Sequence, residues 1–266
     1  MDVISKRIIS CRSTSKLQRT QKQIQNIMGT TYHSKPIVTD GLVFCVDAAN
    51  KVSYPGSGTT AIDIAGNKSG TLSSTPMFEN TNLGVFVNDA TDMINFGNTP
   101  DLFVGSFSVS VWFNKISQTG VIFGRYVGSN AMGDFEIRTN SSATFKMQIH
   151  SGGGFSSADL YSTTANYSSG NWYNVVTTFD HNGSTYTRKI YVDGVLDSND
   201  TPTTMEAWTG VSNSSNITTV GAISTNGSSP TQAFNGSLGP QLIYNKALTQ
   251  AEVTQNYNAL KNRFRT

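Results

Sequence analysis

Charged residues, histidines and cysteines are all scarce in this chain of 266 residues. Lys, Arg, Asp and Glu together make up 14% of it, well below the quarter that is usual in globular proteins. Two cysteines are too few for a disulfide framework, and the three histidines lack the spacing of a zinc site. No stretch approaches the ~20 apolar residues of a membrane span. We therefore expect neither a disulfide-stapled domain, nor a zinc protein, nor a membrane-spanning protein.

Catalytic patterns are also missing. The chain contains no Gly-x-Ser-x-Gly sequence, no phosphate-binding loop and only four glutamates. Retaining glycosidases need two carboxylates about 5–5.5 Å apart, and only Asp134 and Glu136 are spaced to share one face of a strand. A solvated strand edge explains that pair equally well. We therefore expect a protein that is not an enzyme.

Small polar residues and 24 glycines replace the missing charge, and apolar residues alternate with them. Phe107, Val109, Val111 and Phe113 alternate with serines and Trp112, which predicts a strand with one face in a core. The same period of two recurs at residues 135–137, 145–149, 173–179 and 186–192.

Turn residues punctuate these strands at short intervals. Asn182-Gly183 and Asp193-Gly194 predict type I′ hairpins, because both central residues of that turn have positive φ. Many short strands separated by such turns favour an all-β fold, a two-sheet antiparallel jelly-roll sandwich.

One helix is predicted near the end of the chain. Thr249 and Glu252 form a capping-box pattern, and Val253, Tyr257 and Leu260 supply an apolar stripe. Cys45 lies in an apolar run, where we expect a small buried side chain, although a bridge to Cys11 remains open.

The first residues differ from the rest. Residues 1–35 carry seven basic residues and one acidic residue, whereas the remainder carries twelve basic and sixteen acidic ones. We divide the chain into a basic N-terminal arm, residues 1–36, and a sandwich domain, residues 37–266. The residues of the arm that we expect to bind a partner are Lys6, Arg7, Arg12, Lys16, Leu17, Arg19, Lys22 and Ile24.

Ser15 begins a short predicted helix in this arm, with Leu17, Ile24 and Met28 on one face. Basic residues bind nucleic acid by releasing counterions, but charges interleaved with apolar residues favour folding along an acidic protein surface. An arginine- and serine-rich, acid-poor start is also typical of a mitochondrial transit peptide. We expect a protein partner and no nucleic acid.

Four segments carry a resemblance to a known family. They are "IVTDGLVFCVDAANKVSYPGSGTTAIDIAGNKSGTL" (37–72), "NWYNVVTTFD" (171–180), "KIYVDGVLD" (189–197) and "FNGSLGPQLIYNKALTQAEVTQNYNALKNRF" (234–264). Together they resemble a laminin-G/concanavalin-A-like (lectin/glucanase-like) domain, of the type found in virion proteins of tailed phages. In such a domain Leu42, Phe44 and Val46 would face inward, and the last helix would cap one end of the sandwich.

The resemblance also implies a possible calcium site. Relatives often bind Ca²⁺ through carboxylates and carbonyls, and here Asn88, Asp89 and Asp92 form the matching cluster. Aspartate and asparagine in a loop are equally typical of turns. Pro240 replaces an acidic or amide residue that the family would place nearby. Calcium is therefore the one cofactor that the sequence leaves open.

Lectin-like sandwiches bind sugars through exposed aromatic side chains in their loops. The loops at 150–172 and 201–215 carry Phe155, Tyr161, Tyr167 and Trp208, which we take as candidate glycan-binding residues. The alternative is that these rings fill the ends of the sandwich or meet another subunit.

The resemblance and the arm lead to one functional expectation. We expect a non-enzymatic virion structural protein (a capsid decoration, a head or neck fibre, or a collar component), made in the host cytoplasm. Residues 1–36 would bind capsid or tail proteins, and the particle-bound protein would be a homo-oligomer. The alternative is an adhesin for host-surface polysaccharide, and a glycosidase is the third choice.

Overall fold

The computed structural model describes most of the sandwich domain. The described residues are 35–74, 77–79, 83–89, 91–115, 119–126, 135–140, 144–149, 159–163, 167–200, 203–204 and 217–265. The basic arm lies outside them, so the predictions made for residues 1–34 stay predictions.

The first of two sheets contains nine strands among the described residues. They are β1 (Leu42–Val46), β4 (Phe78–Glu79), β5 (Val85–Asn88), β7 (Phe107–Lys115), β12 (Trp172–His181), β13 (Thr185–Val192), β14 (Val195–Asn199), β15 (Thr203–Thr204) and β17 (Gly236–Tyr244). The strand order is β14-β13-β12-β7-β17-β5-β4, with β1 beside β17 and β15 beside β13.

The second sheet contains eight described strands. They are β2 (Thr60–Ile62), β3 (Ser69–Leu72), β6 (Ile94–Asn98), β8 (Gly120–Tyr126), β9 (Phe135–Thr139), β10 (Phe145–Ile149), β11 (Leu160–Tyr161) and β16 (Ile217–Val220). Their order is β11-β10-β9-β8-β16-β6-β3-β2, and a short 3₁₀ helix (Pro100–Phe103) joins β6 to β7. All pairings in both sheets are antiparallel, which confirms the predicted two-sheet sandwich.

The alternating apolar residues meet between the sheets. Phe107 and Phe113 of β7 point inward and contact Phe135 and Phe145 of the second sheet, each pair with ring centroids 5.3 Å apart and edge to face. This geometry suits the ring quadrupoles and adds to the energy of apolar burial. The period of two therefore predicted the core face of β7 correctly.

The outer face of the first sheet is covered by the helix α1 (Gln250–Phe264). Trp112, on the outer face of β7, stacks on Phe264 at 4.6 Å and on Tyr257 at 5.7 Å. The capping box of Thr249 and Glu252 is confirmed. The expectation that this helix caps an end of the sandwich is wrong, because the outward residues of the first sheet form an apolar surface that it covers. None of the described helices is long and apolar enough to cross a membrane.

The strand β1 departs from its predicted alternation. Phe44 and Val46 face the core, as predicted, but Leu42 packs on the opposite, helix-covered face. The register with β17 shifts between Leu42 and Phe44. Such an irregularity turns the residues before it to the other side of the sheet.

The two predicted hairpin turns differ. Asp193 and Gly194 both have positive φ, at 53° and 84°, which confirms the type I′ turn. Only Gly183 has positive φ in the other pair, so the type I′ prediction for Asn182-Gly183 is wrong. There the Asn182 side chain accepts a hydrogen bond from the Thr185 amide at 2.9 Å, and a wider, side-chain-stabilised turn results.

Pro240 lies within β17, where a proline cannot donate to a neighbouring strand. The register with β7 shifts between Leu238 and Gln241, and the strand on the other side changes from β5 to β1 at the same point. A proline is tolerated at such an irregularity because the ladder is already interrupted.

Cys45 is wholly buried on the helix-covered face, as its apolar run predicted. Its sulfur is disulfide-bonded, which is the alternative that the sequence left open. Cys11 itself lies outside the described residues.

The chain joins the sandwich beside α1. Val38 donates its amide to Asn256 Oδ1 at 2.8 Å and accepts from the Tyr244 hydroxyl at 3.0 Å. Gln255 donates to the Pro36 carbonyl at 2.8 Å. Ile37 and Val38 are buried in the apolar layer under the helix. Residues 36–38 therefore fix the chain on the helix-covered side of the molecule.

A buried ion pair fastens the end of α1 to the sheet. Arg263 Nη1 donates to both carboxylate oxygens of Asp47, at 2.9 and 2.8 Å, and the Asp47 side chain is 2% exposed. The same guanidinium also donates to the carbonyls of Leu83 and Gly84. Removing one partner of a buried pair leaves an uncompensated charge, which costs more than losing a surface pair.

We predict that Arg263→Met lowers the free energy of unfolding by about 3–5 kcal/mol. Arg265→Met is the matched control, because Arg265 is 41% exposed where it pairs with Asp193, and we expect it to cost less than about 1 kcal/mol. Urea denaturation of both variants measures the difference. Equal losses in the two variants would contradict the assignment.

Candidate binding face

The structure describes two of the four candidate glycan-binding aromatics, and these two differ in exposure. Phe155 and Trp208 lie outside the described residues, so their role stays a prediction. Tyr161 is 43% exposed on β11, whereas Tyr167 is buried. The structure thus separates Tyr161 from Tyr167.

Tyr167 packs into the end of the sandwich. Its ring stacks on Phe145 with centroids 4.0 Å apart and meets Tyr173 edge to face at 5.0 Å, while its hydroxyl donates to Asp197 Oδ2 at 3.4 Å. The two ring contacts bury the surface of the Tyr167 ring on which a sugar would have to stack. Tyr167 therefore follows the alternative that the sequence analysis allowed, in which a loop aromatic fills an end of the core.

Tyr161 belongs to a polar surface on the outer face of the second sheet. Phe135, Ile137, Phe145, Met147 and Leu160 point into the core, so the residues that alternate with them point outward. Lys146 pairs with Tyr161 on one side and with Arg138 on the other, and Gln148 pairs with Glu136. We call this surface the tyrosine face; its residues are Glu136, Arg138, Lys146, Gln148, Asp159 and Tyr161.

Lys146 connects the charges of the tyrosine face. Its ammonium lies 3.0 Å from Asp159 Oδ2, 3.6 Å from Glu136 Oε1 and 3.0 Å from Gln148 Oε1. Tyr161 donates its hydroxyl to Asp159 Oδ2 at 3.0 Å. Partial burial, and then this bond to Asp159, raise the pKa of Tyr161. The phenol therefore stays a neutral donor at ordinary pH.

This arrangement suits binding better than bond cleavage. An exposed ring beside fixed donors and acceptors can stack on a sugar and bind its hydroxyl groups. Glu136 and Asp159 are the two carboxylates of the face, but the Lys146 ammonium lies between them, where a glycosidic bond would have to fit. Asp134, the other candidate acid, lies outside the described residues.

The predicted calcium ligands make hydrogen bonds within the protein. Asn88 directs its amide nitrogen to the carbonyls of Phe234 and Gly221, at 2.6 and 3.1 Å. Asp89 accepts from the Thr91 amide and hydroxyl, and Asp92 accepts from the Ser74 hydroxyl. Ca²⁺ needs six to eight oxygens around one point. Among the described residues no group of three acidic, histidine or cysteine side chains could hold a metal. The bonds of the three residues are those of a hydrogen-bonded turn, and calcium binding stays a prediction.

Sequence reasoning singled out Tyr161 and Glu136 separately but missed Arg138, Lys146 and Asp159 beside them. The segments "FEIRT" and "FKMQI" show charged or polar residues at every second position, which signals an outward face. Which strands lie side by side cannot be read from that period. The tyrosine face therefore became visible only with the strand order.

Comparison with known proteins identifies the fold family. A laminin-G-type family profile, described as the concanavalin A-like lectin/glucanases superfamily, matches residues 88–254. The chain belongs to this superfamily. The match includes every residue of the tyrosine face and the beginning of α1. By sequence, no curated protein matches the chain.

Two solved structures are similar to the chain at low sequence identity. A Trypanosoma rangeli sialidase in complex with sialic acid superposes with a TM-score of 0.59 at 14% identity, over 94% of this chain and 39% of that one. The chain thus spans about two fifths of the sialidase. A heptameric SAP-like pentraxin from Limulus polyphemus gives 0.45 at 18% identity, over 67% of this chain and 78% of that one. The sialidase likeness extends to the fold alone.

Proposed function

We propose that the chain is a non-enzymatic structural protein of a virus particle, of the kind that tailed phages carry, attached through its basic arm. The observation that carries the proposal is the position of residues 36–38, where the arm joins the sandwich, relative to the tyrosine face. Residues 36–38 lie on the helix-covered side, beyond the first sheet, whereas Tyr161 lies on the outer face of the second sheet. The point at which the arm joins the sandwich and the polar face are therefore on opposite sides of the sandwich.

The layers explain why this separation matters. Packed sheets lie about 10 Å apart, and α1 adds a further layer on the arm side. A partner bound through residues 1–36 would meet the helix layer and leave the second sheet pointing away from the particle. This geometry suits a decoration, fibre or collar component made of several copies, with capsid or tail proteins as the partners.

Charge supports a protein partner for the arm. The arm carries seven basic residues against one acidic residue, and the rest of the chain has an excess of four acidic residues. Apolar residues such as Leu17 and Ile24 interrupt the basic residues. A segment that binds nucleic acid by charge alone would not need these apolar residues, whereas a segment that folds on a protein surface would bury them.

We predict that deleting residues 1–27 abolishes incorporation into particles, because the deletion removes six of the basic residues together with the apolar face. The control exchanges Lys51 and Lys68 of the sandwich for glutamine and should assemble normally. Co-expression with the particle proteins, followed by sedimentation, measures incorporation. Undiminished incorporation of the truncated chain would overturn the proposed attachment.

Host-surface polysaccharide binding is the second candidate function, and the tyrosine face favours it. Tyr161 offers an exposed ring, and two cations and two carboxylates around it offer hydrogen bonds to hydroxyl groups. Because these charges balance, the face favours uncharged sugar units. With this function, the protein would bind the particle through its arm and present the tyrosine face outward.

If this second function is correct, Tyr161→Ala weakens binding to a responding polysaccharide about fivefold, since a lost ring contact is worth about 1 kcal/mol. Tyr161→Phe keeps the ring and should retain most of the affinity. A glycan array followed by calorimetry measures both variants. Unchanged affinity in Tyr161→Ala would exclude the tyrosine face as the sugar site.

A further inference from the structure

Cys45 is joined to another cysteine by a disulfide. The chain of 266 residues contains a single other cysteine, Cys11, so within one chain the bond joins Cys11 to Cys45. Cys11 belongs to the basic arm and lies outside the described residues, whereas Cys45 lies in β1. The disulfide therefore connects the arm to a strand of the first sheet.

The described end of this bond is inaccessible to solvent. Cys45 is 0% exposed and belongs to the apolar layer under α1, together with Ile37 and Val38. Its backbone is also held in place, because its amide donates to Asp63 Oδ1 at 2.8 Å and its carbonyl accepts from the Ile64 amide at 2.9 Å. A reagent in solution therefore reaches the Cys45 sulfur only when this layer opens.

Burial of Cys45 slows both routes by which a disulfide is reduced. In thiol–disulfide exchange a thiolate attacks one sulfur and expels the other as a thiolate. Attack on Cys45 requires the reductant to enter the apolar layer. Attack on Cys11 expels the Cys45 thiolate into apolar surroundings, where burial disfavours its charge. The bond is therefore protected from reductants as long as α1 covers the layer.

The bond gives the arm a second connection to the sandwich. The first connection is the main chain, which α1 binds at residues 36–38 through Gln255 and Asn256. The disulfide joins residue 11 directly to β1, and β1 pairs with β17 within the first sheet. A partner that binds residues 1–10 is thereby linked to the sheet without the intervening residues 12–35.

We propose that the Cys11–Cys45 disulfide is a lasting covalent cross-link, which attaches the arm to the first sheet and resists reduction while α1 is packed. Its use, which rests on the proposed role of the arm in attachment, is to transmit the hold of a bound partner to the sheet. In its formation the two thiols give two electrons and two protons to a small-molecule disulfide, which is reduced to two thiols. The same burial requires this step to precede closure of the layer under α1.

Peptide mapping of the full-length protein without reduction tests the pairing. We expect a linked pair of peptides containing Cys11 and Cys45 from the monomer, and an intact mass that rises by about two hydrogen atoms after reduction in denaturant. A link between two chains, or a free thiol at Cys11 in the purified protein, would overturn the proposal.

Reduction by dithiothreitol, followed by alkylation of the freed thiols, tests the protection. We expect reduction to be at least about a hundredfold slower in native buffer than in unfolding concentrations of urea, because exchange follows the population of the open form. Equal rates in the two conditions would contradict protection by the fold.

Two matched valine truncations in the full-length protein locate the protecting layer. Val253 of α1 and Val109 of β7 are both 0% exposed, the first in the layer with Cys45 and the second in the core between the sheets. We expect Val253→Ala to accelerate reduction in native buffer about tenfold more than Val109→Ala does. Equal acceleration would assign reduction to global unfolding and overturn the role of α1. None of these measurements involves a particle, so their failure is distinguishable from failure of the proposed attachment.

Discussion

Trp112 lies on the outer face of the first sheet and stacks between that sheet and Phe264 of α1. This contact, with the apolar layer around it, gives the first sheet an apolar buried layer on each side, while the apolar residues of β9 and β10 in the second sheet lie on the side toward the core. The rest of the molecular layout depends on that asymmetry. Residues 36–38 enter under the helix, and the outer face of the second sheet is left to polar side chains.

The sequence predicted the sandwich well where the period of two was undisturbed. The inward face of β7 and the capping box of α1 formed as predicted, since alternation and a capping box are local signals. The errors arose where nonlocal contacts decided the structure. Leu42 changed faces because β1 slips against β17, and Asn182 formed its own side-chain turn. The position of α1 depends on Trp112. In the sequence Trp112 is a single apolar side chain among serines, so it did not indicate that a helix would cover the outer face of the first sheet.

In the candidate site, too, the sequence indicated local features but not the contacts between distant segments. Tyr161 and Tyr167 look alike in sequence, yet one is exposed and the other fills the core beside Phe145. The ion pairs of Lys146 with Glu136 and Asp159 join three separate segments, so no spacing along the chain could have indicated them. The carboxylates at Asp89 and Asp92, which a relative's motif suggested as calcium ligands, serve a local turn.

In the proposed arrangement, the helix-covered side faces the particle and the second sheet faces away from it. Single cysteines at Thr71, on the outer face of the second sheet, and at Ala251, on the exposed side of α1, test it through maleimide labelling in free and particle-bound protein. We expect particle binding to slow labelling at position 251 and to leave position 71 at the rate of the free protein. Protection at position 71 with free access at position 251 would contradict it.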